Sequence, residues 1–444
     1  MAKASVPLER TLVEQIGNRV LVYIPGRRGL FLIHQALLPG LTGPHGRVNK
    51  DALLRVGWMK DLIHTPSHPA QPALSPKDWR NPDMVGGISL FITDRCNYSC
   101  PYCLARHKDK TTIELETDQL LEICDPYLRS SRPASVVISG GEPLVRPDKV
   151  LELIRRMRRT KGYHVGQIRL VTNFALADDA LIKALSKHEV IVTISIHQSE
   201  LGTSRWWEHK PLIRSLEMLK KARGNNGGLV FIISSSEDWH RFIETPLSKI
   251  NRYTDTVLVV PDLINWPPDL DPDEIAHNLL EYRQRARAHG LLLTGWWDKP
   301  AQSIINGEGP AFAWCPGISG GAIVCWPDGR LSRCKYLRPS QFATGETQKN
   351  RLAALERNKK EIPWEGISAK QLRHVATTGC DDCWLLPVCA GGCSLSWPER
   401  TRGDDRRCRF LRAITRGLLI ERAQRALLRR EVREAIAILG GETL

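Results

Sequence analysis

From Gly87 to about residue 300, short apolar runs alternate with longer stretches in which apolar residues recur every three or four positions. The short runs predict strands, and the longer stretches predict amphipathic helices between them. Strands that alternate with helices in this way are typical of βαβ units on a parallel sheet. The predicted strands cover residues 88–93, 135–140, 168–173, 190–196, 229–234 and 257–261. The predicted helices cover residues 148–160, 179–188, 211–223 and 272–288.

Residues 1–75 follow a different pattern and are predicted to form a separate module. Two apolar runs, 19–25 and 29–34, flank a Gly-Arg-Arg-Gly stretch, which predicts two strands joined by a turn. A stretch with helical character follows at 51–63, and five prolines between residues 66 and 82 mark a boundary. The pattern leaves open whether this module caps the predicted sheet or binds a partner.

Composition and charge limit the function classes. A chain of 444 residues, 42% of them hydrophobic, can bury more than one core. The sequence contains no run of eighteen apolar residues and no apolar signal-peptide core, so we expect a cytoplasmic protein without a membrane span. The net charge of +15 permits a nucleic acid, an acidic peptide or an acidic electron donor as partner.

Much of the positive charge lies between Arg406 and Arg433, where apolar residues recur at helical spacing. We predict an amphipathic helix with a solvated basic face there, rather than a specific binding patch. This interpretation does not favour nucleic acid as a partner. The recurring apolar residues are Phe410, Leu411, Ile414, Leu418 and Leu427.

Three cysteines, Cys96, Cys100 and Cys103, lie on one short loop directly after the first predicted strand. A [4Fe-4S] cube has four irons and usually thiolate ligands, so three cysteines leave one iron open to a small molecule. Zinc is the competing interpretation and needs a fourth ligand, for which His107 is the nearest candidate. Twelve cysteines without an export signal favour metal or redox chemistry over disulfides. Cys124 lies apart in a helical pattern and is predicted to be a small buried residue.

The second predicted strand ends in the sequence Ser-Gly-Gly-Glu-Pro at residues 139–143. Glycines at a strand end let the backbone approach a ligand, and the Glu142 carboxylate can receive an ammonium group. Glycine and proline also mark ordinary turns, so the motif alone leaves both interpretations open. In parallel barrels the reactive site lies at the C-terminal ends of the strands. The cysteine loop follows the first strand and is therefore expected at the same edge.

A second cysteine-rich region follows Pro310. Its first part contains Cys315, Cys325 and Cys334, with a predicted hairpin turn at residues 327–329. The second part has the spacing C-x2-C-x5-C-x3-C and one more cysteine beyond it. Its members are Cys380, Cys383, Cys389, Cys393 and Cys408. This density predicts metal ligation, by iron-sulfur clusters or by zinc, because C-x2-C pairs also build zinc ribbons.

Together these motifs resemble the radical S-adenosylmethionine (SAM) enzymes that carry a C-terminal SPASM extension. The cysteine loop matches their C-x3-C-x-aromatic-C signature, with Tyr102 at the aromatic place, and residues 140–143 match their GGEP motif. The resemblance implies an α/β fold with a partial (β/α)6 barrel of the TIM type. It also implies four parts: a small N-terminal α+β module, the barrel, a SPASM domain and a basic helix. Their expected ranges are 1–75, 87–300, 311–412 and 413–444.

The resemblance implies that Cys96, Cys100 and Cys103 hold a [4Fe-4S] cluster whose open iron binds SAM. Reductive cleavage of SAM in this family yields a 5′-deoxyadenosyl radical. Glu142 would then receive the SAM ammonium group and Arg205 the carboxylate, although a surface ion pair is the alternative for Arg205. The implied SAM contacts are Tyr102, Ser139, Gly140, Gly141, Glu142, Pro143, Thr172, Asn173, Ser195 and Arg205. For the polar strand-end residues a core or capping role is the alternative, and His197 and Gln198 depart from the Asp-Gly that relatives commonly have.

The SPASM resemblance implies two auxiliary [4Fe-4S] clusters, which gives three clusters in all. Cys315, Cys334 and Cys393 would hold the first auxiliary cluster. The second would be held by Cys380, Cys383, Cys389 and Cys408. Relatives often have a further ligand five or six residues after the opening cysteine, where this chain has Gly320 and Gly321. We expect Cys325 to replace it; otherwise one iron of this cluster stays open.

The resemblance implies an oxidoreductase that receives electrons from a flavodoxin- or ferredoxin-type donor. We predict oxidative modification of a ribosomally made peptide, such as a cross-link or a thioether. Residues 1–75 resemble the winged-helix modules that bind leader peptides in peptide-modifying enzymes. Two alternatives remain: a dehydrogenase or mutase for a small molecule such as an amino sugar, and a non-catalytic iron-sulfur module for electron transfer.

Overall fold

The computed structural model describes residues 5–7, 12–24, 29–35, 42–43, 47–49, 85–100, 103, 114–196, 205–223, 227–262, 266, 269–306, 321–332, 334–335, 383–389 and 406–438. Six strands lie in the N-terminal region: β1 (Ser5–Pro7), β2 (Leu12–Ile16), β3 (Arg19–Ile24), β4 (Gly29–His34), β5 (Thr42–Gly43) and β6 (Arg47–Asn49). Nine further strands are β7 (Gly87–Phe91), β8 (Ala134–Ser139), β9 (Val165–Thr172), β10 (Ile191–Ile196), β11 (Gly227–Ile233), β12 (Thr256–Pro261), β13 (Leu292–Thr294), β14 (Ala322–Cys325) and β15 (Leu331–Ser332).

Helices follow most of the strands in the second group. They are α1 (Thr117–Leu128), α2 (Pro147–Arg159), α3 (Asp179–Lys187), α4 (Lys210–Arg223), α5 (Ser236–Ile243), α6 (Leu247–Asn251), α7 (Pro272–Ala288), α8 (Lys299–Ile305), α9 (Leu386–Cys389) and α10 (Arg406–Ile438). Helix α2 illustrates the local cause, because Pro147 starts it and three arginines occupy its last turn, where they complement the helix dipole. No helix in the described part of the chain combines the length and apolar character that a membrane span requires.

One sheet of nine strands forms the centre of the molecule, in the order β13-β12-β11-β10-β9-β8-β7-β14-β15. Neighbours from β13 through β14 pair in parallel, and only the β14–β15 pair is antiparallel. The six predicted strands correspond to β7–β12. The pairings among described residues leave the sheet open between β13 and β15, which agrees with the predicted partial barrel.

Side chains alternate between the two faces of this sheet. On the outer face, the side chains pack with those of the helices in one large core; examples are Ile138, Leu170 and Ile194. Cys124 of α1 belongs to this core and is buried, as the sequence predicts. The inner face has intermediate burial at Ser139 and other positions, and it forms the lumen of the partial barrel.

Helix α10 packs along α7, and its apolar side chains lie in the large core. A β-carbon on Gly417 would lie 2.2 Å from Leu280, so glycine allows the two helices to approach closely. Glu421 forms ion pairs with Arg283 and Arg287 at this contact, and both Glu421 and Arg283 are buried. The basic segment is therefore helical with a buried apolar face, through which it packs against the barrel.

The N-terminal sheet β2-β3-β4 is antiparallel, so the predicted strand pair is present with β2 added to it. Its residues Leu21 and Leu32 belong to the large core. The sheet also contacts the C-terminal region, because Tyr23 packs on Trp384 with ring centroids 6.1 Å apart and Glu14 pairs with Arg416 at 2.6 Å. These contacts favour a capping role for the sheet. The predicted helix at 51–63 and the proline-rich boundary lie outside the described residues.

Candidate active site

The cysteine loop joins the C-terminal ends of two strands by backbone hydrogen bonds. Ile92 donates to the Ser139 carbonyl at 3.0 Å, Gly141 to the Thr93 carbonyl at 2.8 Å, and Glu142 to the Arg95 carbonyl at 2.8 Å. The chain segments after β7 and β8 therefore continue side by side beyond the sheet. This arrangement fixes the start of the cysteine loop against the Ser139–Pro143 motif at the expected edge of the barrel.

The two glycines of the motif are needed by this close approach. Gly140 has φ of +146°, and a β-carbon there would lie 2.5 Å from the Thr93 carbonyl oxygen. A β-carbon on Gly141 would lie 2.2 Å from the Arg95 carbonyl oxygen. Any larger residue would push the cysteine loop away, so the backbone that these glycines accommodate is the chain's own loop.

Glu142 is 1% exposed, and its carboxylate accepts three hydrogen bonds. One oxygen, Oε1, accepts from the Leu144 amide at 2.8 Å and the Thr172 hydroxyl at 2.6 Å. The other oxygen, Oε2, accepts from the Asn173 amide at 2.7 Å. The carboxylate thus connects the ends of β8 and β9.

Thr172 belongs to the outward-facing set of β9, together with Ile168 and Leu170. The carboxylate that accepts its hydroxyl therefore lies on the helix side of the strand ends and not in the lumen. Burial raises the pKa of Glu142, and the hydrogen bonds from Thr172, Asn173 and Leu144 oppose that rise. This environment suits a structural connection better than the direct contact to an ammonium group that the sequence suggests.

A second connection joins the cysteine loop to β9. The Asn173 side-chain amide donates to the side-chain oxygen Oδ1 of Asn97 at 2.8 Å, and Asn97 follows Cys96 directly. Next in the chain, Phe174 is fully buried with φ of 62°, a left-handed conformation that is uncommon for an aromatic residue. Asn173 therefore bonds to Glu142 through its backbone and to Asn97 through its side chain, at the edge of the barrel where SAM is expected.

Two buried charged residues, which the sequence analysis did not identify, form hydrogen bonds with the chain at the start of the cysteine loop. Glu114 accepts from the Thr93 hydroxyl at 2.5 Å and from Arg146 at 3.0 Å. Lys149 donates to the carbonyls of Ile92 at 3.1 Å and Leu115 at 2.5 Å, and burial lowers its pKa. A lysine in an amphipathic helix gives no signal of this kind in the sequence, because its partners are distant backbone atoms.

The three cysteines of the loop differ in exposure: Cys96 is exposed, Cys100 buried and Cys103 intermediate. The Tyr98 amide donates to the Cys96 sulfur at 3.3 Å, and the Cys103 amide donates to the Cys100 carbonyl at 3.2 Å. The described residues contain no group of three His, Cys, Asp or Glu side chains arranged for one metal ion. That finding concerns single ions, whereas a cube binds each thiolate at a different iron.

The other predicted SAM contacts are divided. Ser139 and Ser195 lie near the ends of β8 and β10 and are partly buried, while Pro143 is buried in a 3-10 turn. Arg205 is mostly exposed and pairs with Glu208 at 3.2 Å, the contact expected under the alternative of a surface ion pair. Tyr102 lies outside the described residues, as do His107, His197 and Gln198.

The hairpin of the second cysteine region lies in the main sheet, since β14 pairs in parallel with β7. Its turn is present as predicted, with Gly329 at φ of +82°. Cys325 is fully buried in the large core on the outer face, whereas its neighbours Val324 and Trp326 pack with Phe91 on the inner face.

Cys334 lies two residues beyond the end of β15 and is partly buried. Cys325 pairs with Leu331, and Val324 with Ser332. The paired strand ends at Ser332, and the Ser332 hydroxyl donates to the Cys334 carbonyl at 3.0 Å. Cys383 and Cys389 flank or end α9, and Cys408 lies in the first turn of α10. Cys315, Cys380 and Cys393 lie outside the described residues.

Comparison with known proteins agrees with the motifs. Residues 90–245 match the Radical SAM superfamily. The radical SAM cyclopropyl synthase TigE of Paramaledivibacter caminithermalis is 23% identical over 336 residues, which cover 70% of this chain and 68% of TigE. GTP 3′,8-cyclase 1 of Mycobacterium tuberculosis is 31% identical over 149 residues, which cover 31% of this chain and 41% of the cyclase. The chain thus spans less than half of that second relative.

Two solved structures share the fold. The complex of anSMEcpe with bound AdoMet and Cp18Cys peptide has a TM-score of 0.56 and 16% identity, and the likeness covers 77% of this chain and 99% of that one. Streptococcus suis SuiB bound to precursor peptide SuiA has a TM-score of 0.50 and 13% identity, with coverage of 90% and 98%. The cysteine loop, the GGEP motif and the strand ends that hold them all lie within residues 90–245, and this part of the chain is a radical SAM domain.

Proposed function

We propose that this protein is a radical SAM enzyme that oxidatively modifies a ribosomally made peptide. The observation that carries the proposal is the attachment of the three-cysteine loop to the ends of β8 and β9 by backbone and side-chain hydrogen bonds. Peptide chemistry is supported by the fold, which is shared with anSMEcpe bound to a Cp18Cys peptide and with SuiB bound to the precursor peptide SuiA.

In this proposal Cys96, Cys100 and Cys103 hold the cluster that binds SAM. Together, that cluster and SAM supply a 5′-deoxyadenosyl radical for abstraction of a hydrogen atom from the substrate. Inner-face side chains and backbone groups at the strand ends position SAM, and the surrounding protein shields it from water. These groups are Ser139, Gly140, Gly141, Pro143, Asn173 and Ser195, with Tyr102 from the loop and Arg205 as the partner of the SAM carboxylate. Glu142 and Thr172 act indirectly, by fixing the two strand ends.

Two auxiliary clusters would accept the electron that the substrate radical loses when the modified product forms. We assign Cys315, Cys334 and Cys393 to the first, and Cys380, Cys383, Cys389 and Cys408 to the second, as the resemblance to the SPASM extension implies. Cys325 is left out of the first set, since its side chain is fully buried in the large core on the outer face of the sheet. The electron donor in this proposal is a flavodoxin- or ferredoxin-type protein.

The test uses the full chain, reconstituted without oxygen and co-expressed with the short peptide encoded nearest to its gene. We expect about twelve irons per chain, as three cubes require. We also expect SAM-dependent formation of 5′-deoxyadenosine. The mass of the peptide should decrease by an even number of hydrogen atoms. About four irons, with zinc in the remaining cysteines, would contradict the auxiliary clusters. An unchanged peptide alongside active SAM cleavage would contradict the peptide substrate.

A second candidate, radical chemistry on a small molecule, is supported by the similarity to GTP 3′,8-cyclase 1. GTP is therefore offered to the reconstituted enzyme as a competing substrate. Consumption of GTP coupled to SAM cleavage would favour this candidate over peptide modification. The same preparation tests the non-catalytic alternative, because an electron-transfer module would form no 5′-deoxyadenosine.

A further inference from the structure

The inner face of the barrel differs in chemistry from one side to the other. Near β14 it is apolar and aromatic, because Phe91 and Trp326 pack at 4.8 Å between ring centroids. Toward β8, β9 and β10 several inward positions carry hydroxyl groups, and the others carry neutral side chains apart from Arg169. These neutral inward residues are Ser135, Val137 and Ser139 on β8, Val165, Gln167 and Val171 on β9, and Ile191, Thr193 and Ser195 on β10.

Arg169 also faces this lumen. It lies between Ile168 and Leu170 of β9, which both point outward into the large core. Its guanidinium donates to the Thr193 hydroxyl at 2.8 Å and to the Gln167 side chain at 3.5 Å. Of the inward positions on the described strands β7–β12, Arg169 carries the single charged side chain.

Among the residues that the structure describes, the Arg169 guanidinium donates hydrogen bonds only to neutral groups. Partial burial lowers the pKa of its guanidinium, although arginine keeps its proton in proteins. A guanidinium held by a hydroxyl and an amide retains donors that match a carboxylate or phosphate. A partly buried cation without an acidic partner contributes little to stability, and a neutral side chain in its place would avoid the cost of burying the charge.

The height of the guanidinium in the barrel suggests what it contacts. Thr193 pairs with Val171, two residues nearer the reactive edge than Arg169 itself. The side chain therefore extends toward the ends of the strands, and Ser195 is the next inward residue of β10 above Thr193. One such step along a strand is about 7 Å. The guanidinium thus lies directly below the level at which the proposed function places SAM.

We propose that Arg169 binds a carboxylate of the substrate inside the barrel, and that it selects substrates with an acidic residue near the modified position. This inference rests on the proposed function for the position of SAM. A single cation among hydroxyl groups matches the single charge of a carboxylate, whereas a phosphate group would usually meet several cations or a helix N-terminus. The Thr193 hydroxyl fixes the guanidinium so that it is oriented before the substrate arrives.

The experiment titrates the reconstituted full chain, in the presence of SAM, with N-acetyl-aspartate amide, N-acetyl-asparagine amide and inorganic phosphate. Wild-type protein should bind the aspartate probe about tenfold more tightly than the asparagine probe, as one charge-assisted contact provides. Arg169→Gln should abolish this preference and Arg169→Lys should restore part of it. Arg155→Gln, which changes a surface ion pair on α2, is the matched control and should keep the preference.

Three outcomes overturn the proposal: equal binding of both amino-acid probes by the wild type, binding of phosphate without the aspartate probe, and an unchanged preference in Arg169→Gln. Thermal unfolding of Arg169→Met gives a measurement that needs no ligand. Removal of an unpaired functional charge should leave the melting temperature equal or higher, whereas loss of a structural connection would lower it. Failure of the wild type to cleave SAM would instead contradict the proposed function, so the two failures are distinguishable.

Discussion

Replacing Glu142 by Gln tests whether the carboxylate of the GGEP motif is a connection between strand ends or a direct SAM ligand. The change keeps the shape of the side chain and turns one oxygen into an NH2 group. In one orientation the amide nitrogen faces the Asn173 N–H, and in the other it faces the Leu144 N–H. A nitrogen that already carries two hydrogens cannot accept, so one buried backbone N–H loses its partner in either case.

The expected cost follows from that lost acceptor. A buried donor left without a partner costs about 1–3 kcal/mol. We therefore expect Glu142→Gln to lower the free energy of unfolding by that amount, measured by denaturant titration of the reconstituted protein. A direct contact to the SAM ammonium would instead be worth about 1.5–3 kcal/mol of binding, or roughly ten- to a hundredfold in SAM affinity. Because the carboxylate lies on the helix side, we expect SAM affinity to fall by less than tenfold.

Glu152→Gln is the matched control, because Glu152 is partly exposed on α2 and its ion pair with Arg155 is a surface pair of small energy. The interpretation is refuted if Glu142→Gln unfolds like the control and yet loses tenfold or more in SAM affinity.

Protonation of Glu142 at low pH should affect stability differently from the Glu142→Gln substitution. A protonated carboxyl oxygen keeps a lone pair for the Asn173 N–H, whereas an amide nitrogen does not. Folding raises the pKa of Glu142, so the folded state binds the proton more tightly than the unfolded state. The stability that this contributes is present below the ordinary pKa and is lost as the pH rises through the raised pKa. In that window, wild-type stability should fall with rising pH more steeply than that of Glu142→Gln.

Four further substitutions test other contacts. Gly141→Ala should displace the cysteine loop, since its β-carbon would lie 2.2 Å from the Arg95 carbonyl; iron analysis should then give about eight irons per chain instead of twelve, and a full complement would contradict this. Cys325→Ala should keep all the iron, whereas Cys334→Ala should lose that of one cluster; equal loss in both would return Cys325 to the ligand set. Glu421→Ala leaves Arg283 buried without its carboxylate and should destabilise the fold by about 3–5 kcal/mol in denaturant titration, and a change below 1 kcal/mol would contradict a buried ion pair.

The strands and helices of the barrel could be predicted because each leaves a local period in the sequence. Helix α2 alternates buried and charged positions at helical spacing, and the strands β8 and β12 are short apolar runs between turns. Strand β13 has three residues and β14 has four, which is too short for a period. The pairing of β14 with β7 depends on contacts between distant segments, so the sequence predicted a hairpin without placing it in the main sheet.

For the candidate site, the sequence indicated which residues meet but not which way they face. The spacing of Cys96, Cys100 and Cys103 and the position of GGEP after a strand were sufficient to place both at one edge. The direction of the Glu142 side chain depends on its pairing with Thr172 and Asn173, which lie on another strand. Arg169 did leave a signal, because a charged residue interrupts an apolar run there; its importance depends on the identity of the inner face, which only the register provides.

The position of β14 also has a consequence for how electrons would leave the substrate. The backbone of β14 pairs with β7 from Gly87 to Leu90, the Leu115 amide donates to the Pro327 carbonyl at 2.8 Å, and Lys149 holds both Ile92 and Leu115. The hairpin that leads to Cys334 is therefore part of the same hydrogen-bonded sheet as the strand that leads to Cys96. Through the described residues, one continuous sheet therefore fixes the hairpin β14–β15 relative to β7. Electron transfer from the lumen to an auxiliary cluster would then occur over a fixed distance, and substrate position, which Arg169 is proposed to control, would be the variable.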